Sequence, residues 1–295
     1  MEAMNDHLLA DLVDLDRYPI TRPESTEYQA VVADAQQGLR ADGCAVIKDL
    51  IRYQAVRAIS DEIVARKHTT HYSTQVINPY FHFHHNDEYA DDHPMNTFLE
   101  RSSGFIPGDS WEDTTAMRVM FEHPALAKFL ADCLEIPELH PYADPLAGLT
   151  ANILDPGQQF TWHFDTNDFA VTLLVQQADR GGAFQYVPGI RSADDEGFDA
   201  IQQVLDSGDV AGGLDDVATL HLRPGDLQIF RGRYSLHRVE RVSTESQPRH
   251  AAIFAYTEQP GVIGRVERTR QLFGRVLPAH VDAERERVRA DALLD

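Results

Sequence analysis

A His-x-Asp pair and one distant histidine are the residues best suited to hold a metal ion. His163 and Asp165 stand two positions apart beside the strand-like segment FAVTLLVQ. In an extended chain such residues point to the same side, so one ion can contact both side chains. His237 follows 74 residues later, after GDLQIFRGRYSL, and is the candidate third ligand. Two imidazoles and one carboxylate on one face of an ion leave its other positions open, as a catalytic site requires.

An arginine downstream of these residues suggests what else the site binds. Arg249 lies twelve residues after His237, at the start of the apolar segment HAAIFAY. The planar guanidinium pairs with a carboxylate through two parallel hydrogen bonds. Arg249 on a strand beside a metal therefore suggests a dicarboxylate co-substrate. The alternative is an ordinary solvated strand end.

Composition excludes several classes of protein. The formal net charge is −21 over 295 residues, which disfavours nucleic acid and anionic membranes as partners. The two cysteines, Cys44 and Cys133, form no CxxC motif, so no disulfide framework or zinc ribbon is expected. No apolar run of about 18 residues and no signal-peptide pattern is visible. We expect a cytoplasmic protein with a small-molecule substrate, either a monomer or a homodimer.

The pattern of elements predicts a mainly β protein with N-terminal helices, of the α+β class. Helical spacing covers Tyr28–Leu39, Tyr53–Ala65 and Pro124–Leu134, whereas Lys67–Asp109 reads as a long irregular loop that is functional or disordered. From Ala147 onward, six short strand-like segments alternate with Gly and Pro turns, which favours a sandwich or jelly-roll barrel. These segments are LTANIL, FAVTLLVQ, AFQYV, ATLHL, DLQIF and HAAIFAY.

The metal-binding set, together with longer motifs, resembles a known family. His163, Asp165, His237 and Arg249 match the pattern of the Fe(II)/2-oxoglutarate-dependent oxygenases. The closer likeness is to the branch that contains the free amino-acid halogenases and their hydroxylase relatives, over roughly residues 102–261. The motifs that carry it are YADPL (142–146), WHFDTNDFAVTLLVQ (162–176), GGAFQYVPGIR (181–191) and RPGDLQIFRGRYSLHRV (223–239).

This resemblance implies a double-stranded β-helix, a cupin-like jelly roll, that binds Fe(II). His163, Asp165 and His237 would be the iron ligands and catalytic residues, and Arg249 would bind the distal carboxylate of 2-oxoglutarate. With O2, the reaction would hydroxylate an unactivated C–H bond of a small polar metabolite, which we expect to be a free amino acid or a derivative, and release succinate and CO2. A single oxygenase domain would cover 1–295, with helical support and a lid loop over about 1–140, the barrel over 141–262 and a helical segment over 263–295.

One position departs from the halogenases of that branch. In those enzymes the carboxylate of the triad is replaced by Gly or Ala, which leaves room for chloride on the iron, whereas this chain has Asp165. Hydroxylation is therefore the expected reaction and halogenation is not. Desaturation and cyclisation by the same chemistry remain open.

Other polar and aromatic residues are candidates for the lining of the site. Asn152 and Thr172 lie on predicted barrel strands and either bind 2-oxoglutarate or are ordinary core polar groups. An acidic insert, 191–216, with a helix near 198–205, either covers a barrel mouth or is a solvated loop. Candidate substrate contacts, each with a structural alternative such as a turn cap or a salt bridge, are Asp144, Phe160, Arg231, Arg233 and His84.

Two alternative functions would use the same three candidate ligands. A cupin-like protein could bind a metal and a ligand without turnover, and it would not need Arg249. A metal-dependent hydrolase or isomerase would instead use bound water as its nucleophile and work without oxygen. The motifs of serine hydrolases, dinucleotide-binding folds and P-loops are absent from the sequence.

Overall fold

A computed structural model of the chain describes residues 2–207 and 217–286. Its helices are α1 (Glu2–Leu12), α2 (Thr26–Asp42), α3 (Tyr53–Arg66), α4 (Ala116–Glu122), α5 (Pro124–Leu134), α6 (Phe198–Asp206), α7 (Val266–Phe273) and α8 (Pro278–Glu286). Its strands are β1 (Cys44–Ile47), β2 (His71–Ile77), β3 (Leu99–Ile106), β4 (His140–Pro141), β5 (Leu149–Leu154), β6 (Phe160–His163), β7 (Ala170–Gln176), β8 (Phe184–Val187), β9 (Ala218–Leu220), β10 (Leu227–Phe230), β11 (Leu236–Val239), β12 (Arg249–Phe254) and β13 (Tyr256–Thr257).

Two antiparallel sheets form the jelly roll. The large sheet has the order β1-β10-β7-β12-β5-β3-β2, and the small sheet has the order β6-β11-β8-β9. Between them, Leu154 of the large sheet packs in one apolar cluster with Phe160 and Val239 of the small sheet. The predicted fold class, mainly β with N-terminal helices around a double-stranded β-helix, is confirmed.

The large sheet separates a helical layer from the barrel interior. Ala151 and Ile153 of β5 and Ala252 of β12 belong to the main core, which also contains the buried faces of α1 to α5. Because strand residues alternate between faces, the intervening positions point into the barrel. Asn152 lies opposite Ala251 in the β5–β12 pair, so both belong to the interior face. The apolar outer face thus stabilises the sheet, and the inner face is left for polar side chains.

The region expected to be an irregular loop, 67–109, instead contributes two strands. β2 and β3 pair along their whole length, and β3 continues onto β5. Their sequences, HYSTQVI and LERSSGFI, contain many polar and small residues, because β2 is an edge strand and β3 turns polar groups inward. The sequence patterns also did not predict helices α1 and α4 or the short strands β6 and β11 as separate elements. Only the loop 78–98 between β2 and β3 remains irregular.

That loop is held in one shape by buried asparagines. The Asn78 side chain accepts hydrogen bonds from the N–H groups of Tyr80 and His82 and donates to the Met95 carbonyl. Asn96 accepts from the Asn86 N–H and donates back to its carbonyl. Both side chains are nearly inaccessible, so the loop is a packed part of the barrel wall.

The insert also differs from expectation. Helix α6 packs through Ile201 and Val204 against Trp162 and Leu236 of the small sheet. Those two strand residues neighbour His163 and His237 and point the opposite way, so α6 lies on the outer face of the small sheet and does not cover a barrel mouth. The rest of the insert, 208–216, lies outside the described residues, as does 287–295 of the predicted C-terminal helical segment.

A buried carboxylate fastens the C-terminal helices to the start of the barrel. The Oδ1 atom of Asp144 accepts hydrogen bonds from the N–H groups of Leu146 and Ala147, each at 2.8 Å. Its Oδ2 atom accepts from the Gly264 N–H at 2.8 Å and from Nε2 of His280 at 3.0 Å. The side chains of Asp144 and His280 are both 0% exposed.

Across residues 2–207 and 217–286, none of the helices has the length and apolar character needed to span a membrane.

Asp144→Ala should destabilise the fold, since four buried donors would lose their acceptor. Removing one partner of a buried pair costs about 3–5 kcal/mol, and we expect a loss of that size in the free energy of unfolding, measured with urea. Asp282→Ala, which removes a 68% exposed carboxylate on α8, is the control and should change little. If Asp144→Ala lowered the free energy of unfolding as little as Asp282→Ala, Asp144 would not be the clamp that holds the C-terminal helices to the barrel.

Candidate metal centre

Two adjacent strands bring the histidines of the sequence motif together. β6 and β11 pair antiparallel, and His163 lies directly opposite His237. Opposed residues share a face of the sheet, and here that face is the barrel interior. The ring centroids are 4.1 Å apart, and both side chains are buried.

The third ligand is placed by the loop that follows β6. The Asp165 N–H donates a hydrogen bond to the Gly232 carbonyl at 3.1 Å, just before β11. Its Oδ1 atom then lies 3.9 Å from Nε2 of His163 and 3.5 Å from Nε2 of His237. One ligand atom from each of the three residues lies within 4.8 Å of the others, so the three can share one metal ion.

Hydrogen bonds from the backbone orient the two imidazoles. Nδ1 of His163 is 2.7 Å from the Thr161 carbonyl, and Nδ1 of His237 is 2.9 Å from the Ser235 carbonyl. A carbonyl only accepts, so each Nδ1 carries the proton and each Nε2 presents a lone pair towards Asp165. This arrangement is typical of metal-binding histidines.

Burial keeps His163 in the form that binds metal. Desolvation lowers its pKa well below the ordinary value of 6.5, and the nearby His237 lowers it further. The imidazole is therefore neutral at pH 7. Two imidazoles and a carboxylate form a facial donor set that suits Fe(II) and leaves open coordination positions.

Aromatic rings enclose the histidines. Phe160 lies 4.2 Å and Phe81 5.3 Å from the His163 ring, and Phe230 lies 4.9 Å from the His237 ring, measured between centroids. Phe81 comes from the loop 78–98 and has φ of 65°, a left-handed conformation unusual for a bulky residue. Such a residue is held in place only by its surroundings, and here it closes one side of the site.

Arg249, Asn152 and Thr172 lie on the inner face of the large sheet. Arg249 is opposite Leu154, and Thr172 is opposite Ile253, in register with the interior positions of β12. Burial lowers the pKa of Arg249 to about 10. No carboxylate among the described residues pairs with it. Asn152 donates to the Gly104 carbonyl at 3.2 Å.

The remaining predicted substrate contacts are spread over the molecule. Phe160 lies at the metal centre, whereas both oxygens of Asp144 are used by the clamp described above, so Asp144 is a structural cap and not a substrate contact. Arg233 pairs with Asp168 and donates to the Thr166 carbonyl. The Arg231 backbone N–H donates to the Gly43 carbonyl. His84 is exposed on the loop whose Phe81 reaches the site.

Two further arginines lie beside His163 and were not expected from the sequence. Arg101 on β3 is 0% exposed, with its guanidinium carbon 4.3 Å from the centre of the Phe160 ring. Arg268 on α7 lies 3.5 Å from the centre of the Phe81 ring. The positive charges of both arginines lower the pKa of His163. The negative charge of Asp165 raises the pKa of Arg268, although burial lowers it more. They belong to the same site as the three ligands.

Little in the sequence points to these arginines. Arg101 lies in LERSSGFI, whose weak alternation of polar and apolar residues does not predict a strand. In the strand that forms, Arg101 and Ser103 point to the same, inward face. Arg268 lies in VERTRQLF, which reads as a solvated helix in which Arg268 and Arg270 are equivalent. Only the packing of α7 against β2 distinguishes them.

Gly232→Ala should displace Asp165, because a Cβ atom at position 232 would lie 1.9 Å from Asp165 Oδ2. Loss of this support should weaken the affinity for a divalent metal by about 10-fold to 100-fold, measured by calorimetric titration of metal into the metal-free protein. Glu245→Ala, which truncates an 80% exposed side chain, is the control. Unchanged affinity in the Gly232 variant would show that Asp165 does not bind the metal.

The fold is shared with solved oxygenase structures of low sequence identity. A 2OG-Fe(II) oxygenase family oxidoreductase from Burkholderia pseudomallei aligns with a TM-score of 0.51 at 11% identity, covering 78% of this chain and 92% of that one. The non-haem alpha-ketoglutarate-dependent epimerase SnoN aligns at 0.51 and 14% identity, covering 78% and 84%. AviO1 from Streptomyces viridochromogenes Tue57 aligns at 0.50 and 16%, covering 78% and 96%.

A comparison with curated protein sequences gave no significant match. A family model described as Halogenase D matches residues 109–264, which is more than half of the chain and includes the three ligands and Arg249. The match agrees with the resemblance drawn from the motifs and with the fold. The chain therefore belongs to the halogenase D family, and it shares its fold with the 2OG-Fe(II) oxygenases.

Proposed function

We propose that this protein is an Fe(II)- and 2-oxoglutarate-dependent hydroxylase of a small polar metabolite, which we expect to be a free amino acid or a close derivative. The observation that carries the proposal is the donor set: two imidazoles and the Asp165 carboxylate around one point, with a buried Arg249, unpaired among the described residues, on the same interior surface. A protein of the cupin type that only senses a ligand would need the triad but not this arginine.

The residues fit both groups. Nε2 of His163, Nε2 of His237 and a carboxylate oxygen of Asp165 would hold Fe(II). Arg249 would pair with the distal carboxylate of 2-oxoglutarate, and this pairing would compensate a charge that is costly to bury alone. Asn152 and Thr172, on the same inner face, would contact the rest of the co-substrate.

In this mechanism, the iron with 2-oxoglutarate and O2 supplies the oxidation of a C–H bond to C–OH, with release of succinate and CO2. The protein positions and shields the reaction. Backbone carbonyls fix the two imidazoles so that both Nε2 atoms aim at one point. Phe81, Phe160 and Phe230 exclude water around the ligands, which protects a reactive site from side reactions.

The carboxylate at position 165 favours hydroxylation over halogenation within this family. A carboxylate ligand occupies the coordination position that chloride needs, and Asp165 is held there by the Gly232 carbonyl. The halogenases that this chain resembles have Gly or Ala instead. The word halogenase in the family name therefore describes the reaction of those relatives. We propose that the product of this chain is an alcohol.

The test is succinate formation from 2-oxoglutarate with Fe(II) and O2, against a panel of free amino acids and related metabolites. We expect one panel member to stimulate turnover in the wild type and none to do so in His163→Ala. Arg249→Ala should weaken 2-oxoglutarate binding about 30-fold or more, because a buried charge pair loses 2 kcal/mol or more on truncation.

Arg180→Ala serves as the control for that variant, since Arg180 is a 73% exposed surface arginine. Its affinity for 2-oxoglutarate should equal that of the wild type. If Arg249→Ala binds 2-oxoglutarate as tightly as the wild type, the enzyme reading loses its support and the non-catalytic binder gains it. Turnover of a substrate without oxygen would instead indicate a metal-dependent hydrolase or isomerase.

Asp165→Gly should replace hydroxylation by halogenation when chloride is present, because it empties the carboxylate position. Mass spectrometry of the product of the best panel substrate should then show chlorine. Asp165→Asn, which fills the space without a charge, is the matched variant and should give none. A glycine variant that binds metal and 2-oxoglutarate but forms no chlorinated product would contradict this account of position 165.

A further inference from the structure

Two arginines beside the metal centre form no ion pair with a carboxylate of the described residues. Arg101 is completely buried, yet its Nε and Nη2 atoms have no hydrogen-bond partner among the described residues. Ser103, two positions along on the same face of β3, has a buried hydroxyl that is also unpartnered. These are donors that the fold itself leaves unsatisfied at this place, which is rare in a protein interior.

Arg268 approaches the same place from the opposite side. Its Nη1 donates to Gln271 Oε1 at 2.7 Å, and no other hydrogen bond from its guanidinium is found among the described residues. Arg101 in turn donates to Gln75 Oε1 at 3.0 Å, and Gln271 donates to the same oxygen at 3.4 Å. The two arginines are thus linked through neutral amides, and neither forms an ion pair with a carboxylate of the described chain.

The two guanidiniums are close enough to repel each other. Burial lowers the pKa of Arg101 to about 9, and the charge of Arg268 contributes to the shift. Asp165 attracts Arg268, but its charge is used by the metal in the proposed function. The cation–π contacts with Phe160 and Phe81 orient the guanidiniums and do not neutralise them.

We propose that Arg101 and Arg268 form an anion subsite for an acidic group of the substrate, a carboxylate or a phosphate, that an ordinary neutral amino acid lacks. Such a substrate is an amino acid with an acidic side chain or a small phosphate monoester; both present anionic oxygens to paired guanidiniums. This inference rests on the proposed function, since it names the substrate class for the same metal centre. Arg249 is separate from the subsite and remains the anchor of 2-oxoglutarate.

Charge selection follows from this arrangement. The whole chain carries a formal charge of −21, so it repels anions at long range, while the barrel interior presents the buried Arg101 and Arg249 and the partly exposed Arg268. A substrate without an acidic side-chain group would offer the two guanidiniums of the subsite at most its α-carboxylate and would be disfavoured. An additional carboxylate or phosphate would pair with both guanidiniums.

The experiment uses the anaerobic protein loaded with Fe(II) and saturated with 2-oxoglutarate, and measures probe binding by calorimetry. Matched pairs isolate charge from shape: L-glutamate with L-glutamine, L-aspartate with L-asparagine, and O-phospho-L-serine with L-serine. We expect the anionic member of at least one pair to bind tenfold or more tightly than its neutral partner. A preference confined to phosphoserine identifies a phosphate monoester, and one confined to the dicarboxylates identifies an acidic amino acid.

Variants assign the preference to the subsite. Arg268→Gln should reduce the affinity for the preferred anion by about tenfold or more, reduce that for its neutral partner far less, and leave 2-oxoglutarate binding unchanged. Arg270→Gln, which removes an exposed arginine from the same helix, should change none of these. Arg268 is partly exposed, so its replacement is compatible with folding even where Arg101→Gln is not.

Three results would overturn the proposal. They are equal affinity for the anionic and neutral members of every pair, an Arg268→Gln variant that loses 2-oxoglutarate instead of the probe, and succinate formation driven by a neutral or basic compound while no acidic probe binds. In each case, binding of Fe(II) and 2-oxoglutarate by the wild-type protein would leave the proposed function standing. Failure to bind Fe(II) or 2-oxoglutarate at all would instead remove the proposed function itself.

Discussion

The register between β6 and β11 is the constraint on which the metal centre depends. It places His163 opposite His237 and turns both rings into the barrel. A slip of one residue would send an imidazole to the outer face, among the side chains that pack against α6. The carboxylate is held differently, by one backbone hydrogen bond to Gly232 and by the absence of a side chain there. Two ligands therefore depend on the sheet and the third on a loop contact, so the third is the one most easily changed without harm to the fold.

Buried arginines organise the space around that centre. Arg249 lies on the inner face of the large sheet, Arg101 on β3 and Arg268 on α7, and no carboxylate of the described chain forms an ion pair with any of the three. A fold normally compensates buried charge internally, because an unpaired ion costs several kcal/mol. Under the proposals above, anionic molecules that enter the barrel would pair with these three cations and recover that energy. The stability of the empty protein and its affinity for such molecules are thus opposed.

The barrel strands could be predicted from the sequence, and the three candidate metal ligands selected, because both have local signatures. Alternating apolar residues with Gly and Pro turns identified β5, β7 and β12, and the His-x-Asp spacing identified His163 and Asp165. β2 and β3 were missed because one is a polar edge strand and the other turns Arg101 and Ser103 inward. The role of Arg268 has no local signal, since it depends on the packing of α7 against a strand nearly 200 residues earlier. Tertiary contacts of this kind are outside the reach of pattern and propensity.

The clamp between Asp144 and His280 has a consequence for the order in which the molecule is completed during synthesis. The two residues are 136 positions apart, and the chain emerges from its N-terminus, where domains begin to fold first. His163, Asp165 and His237 all precede α7 and α8 in the chain, so the three side chains can meet before either helix is made. Arg268 on α7 and then His280 on α8 follow. One wall of the barrel interior is therefore finished last, and a chain interrupted between β13 and α7 would carry a metal-binding set that is open on the Arg268 side.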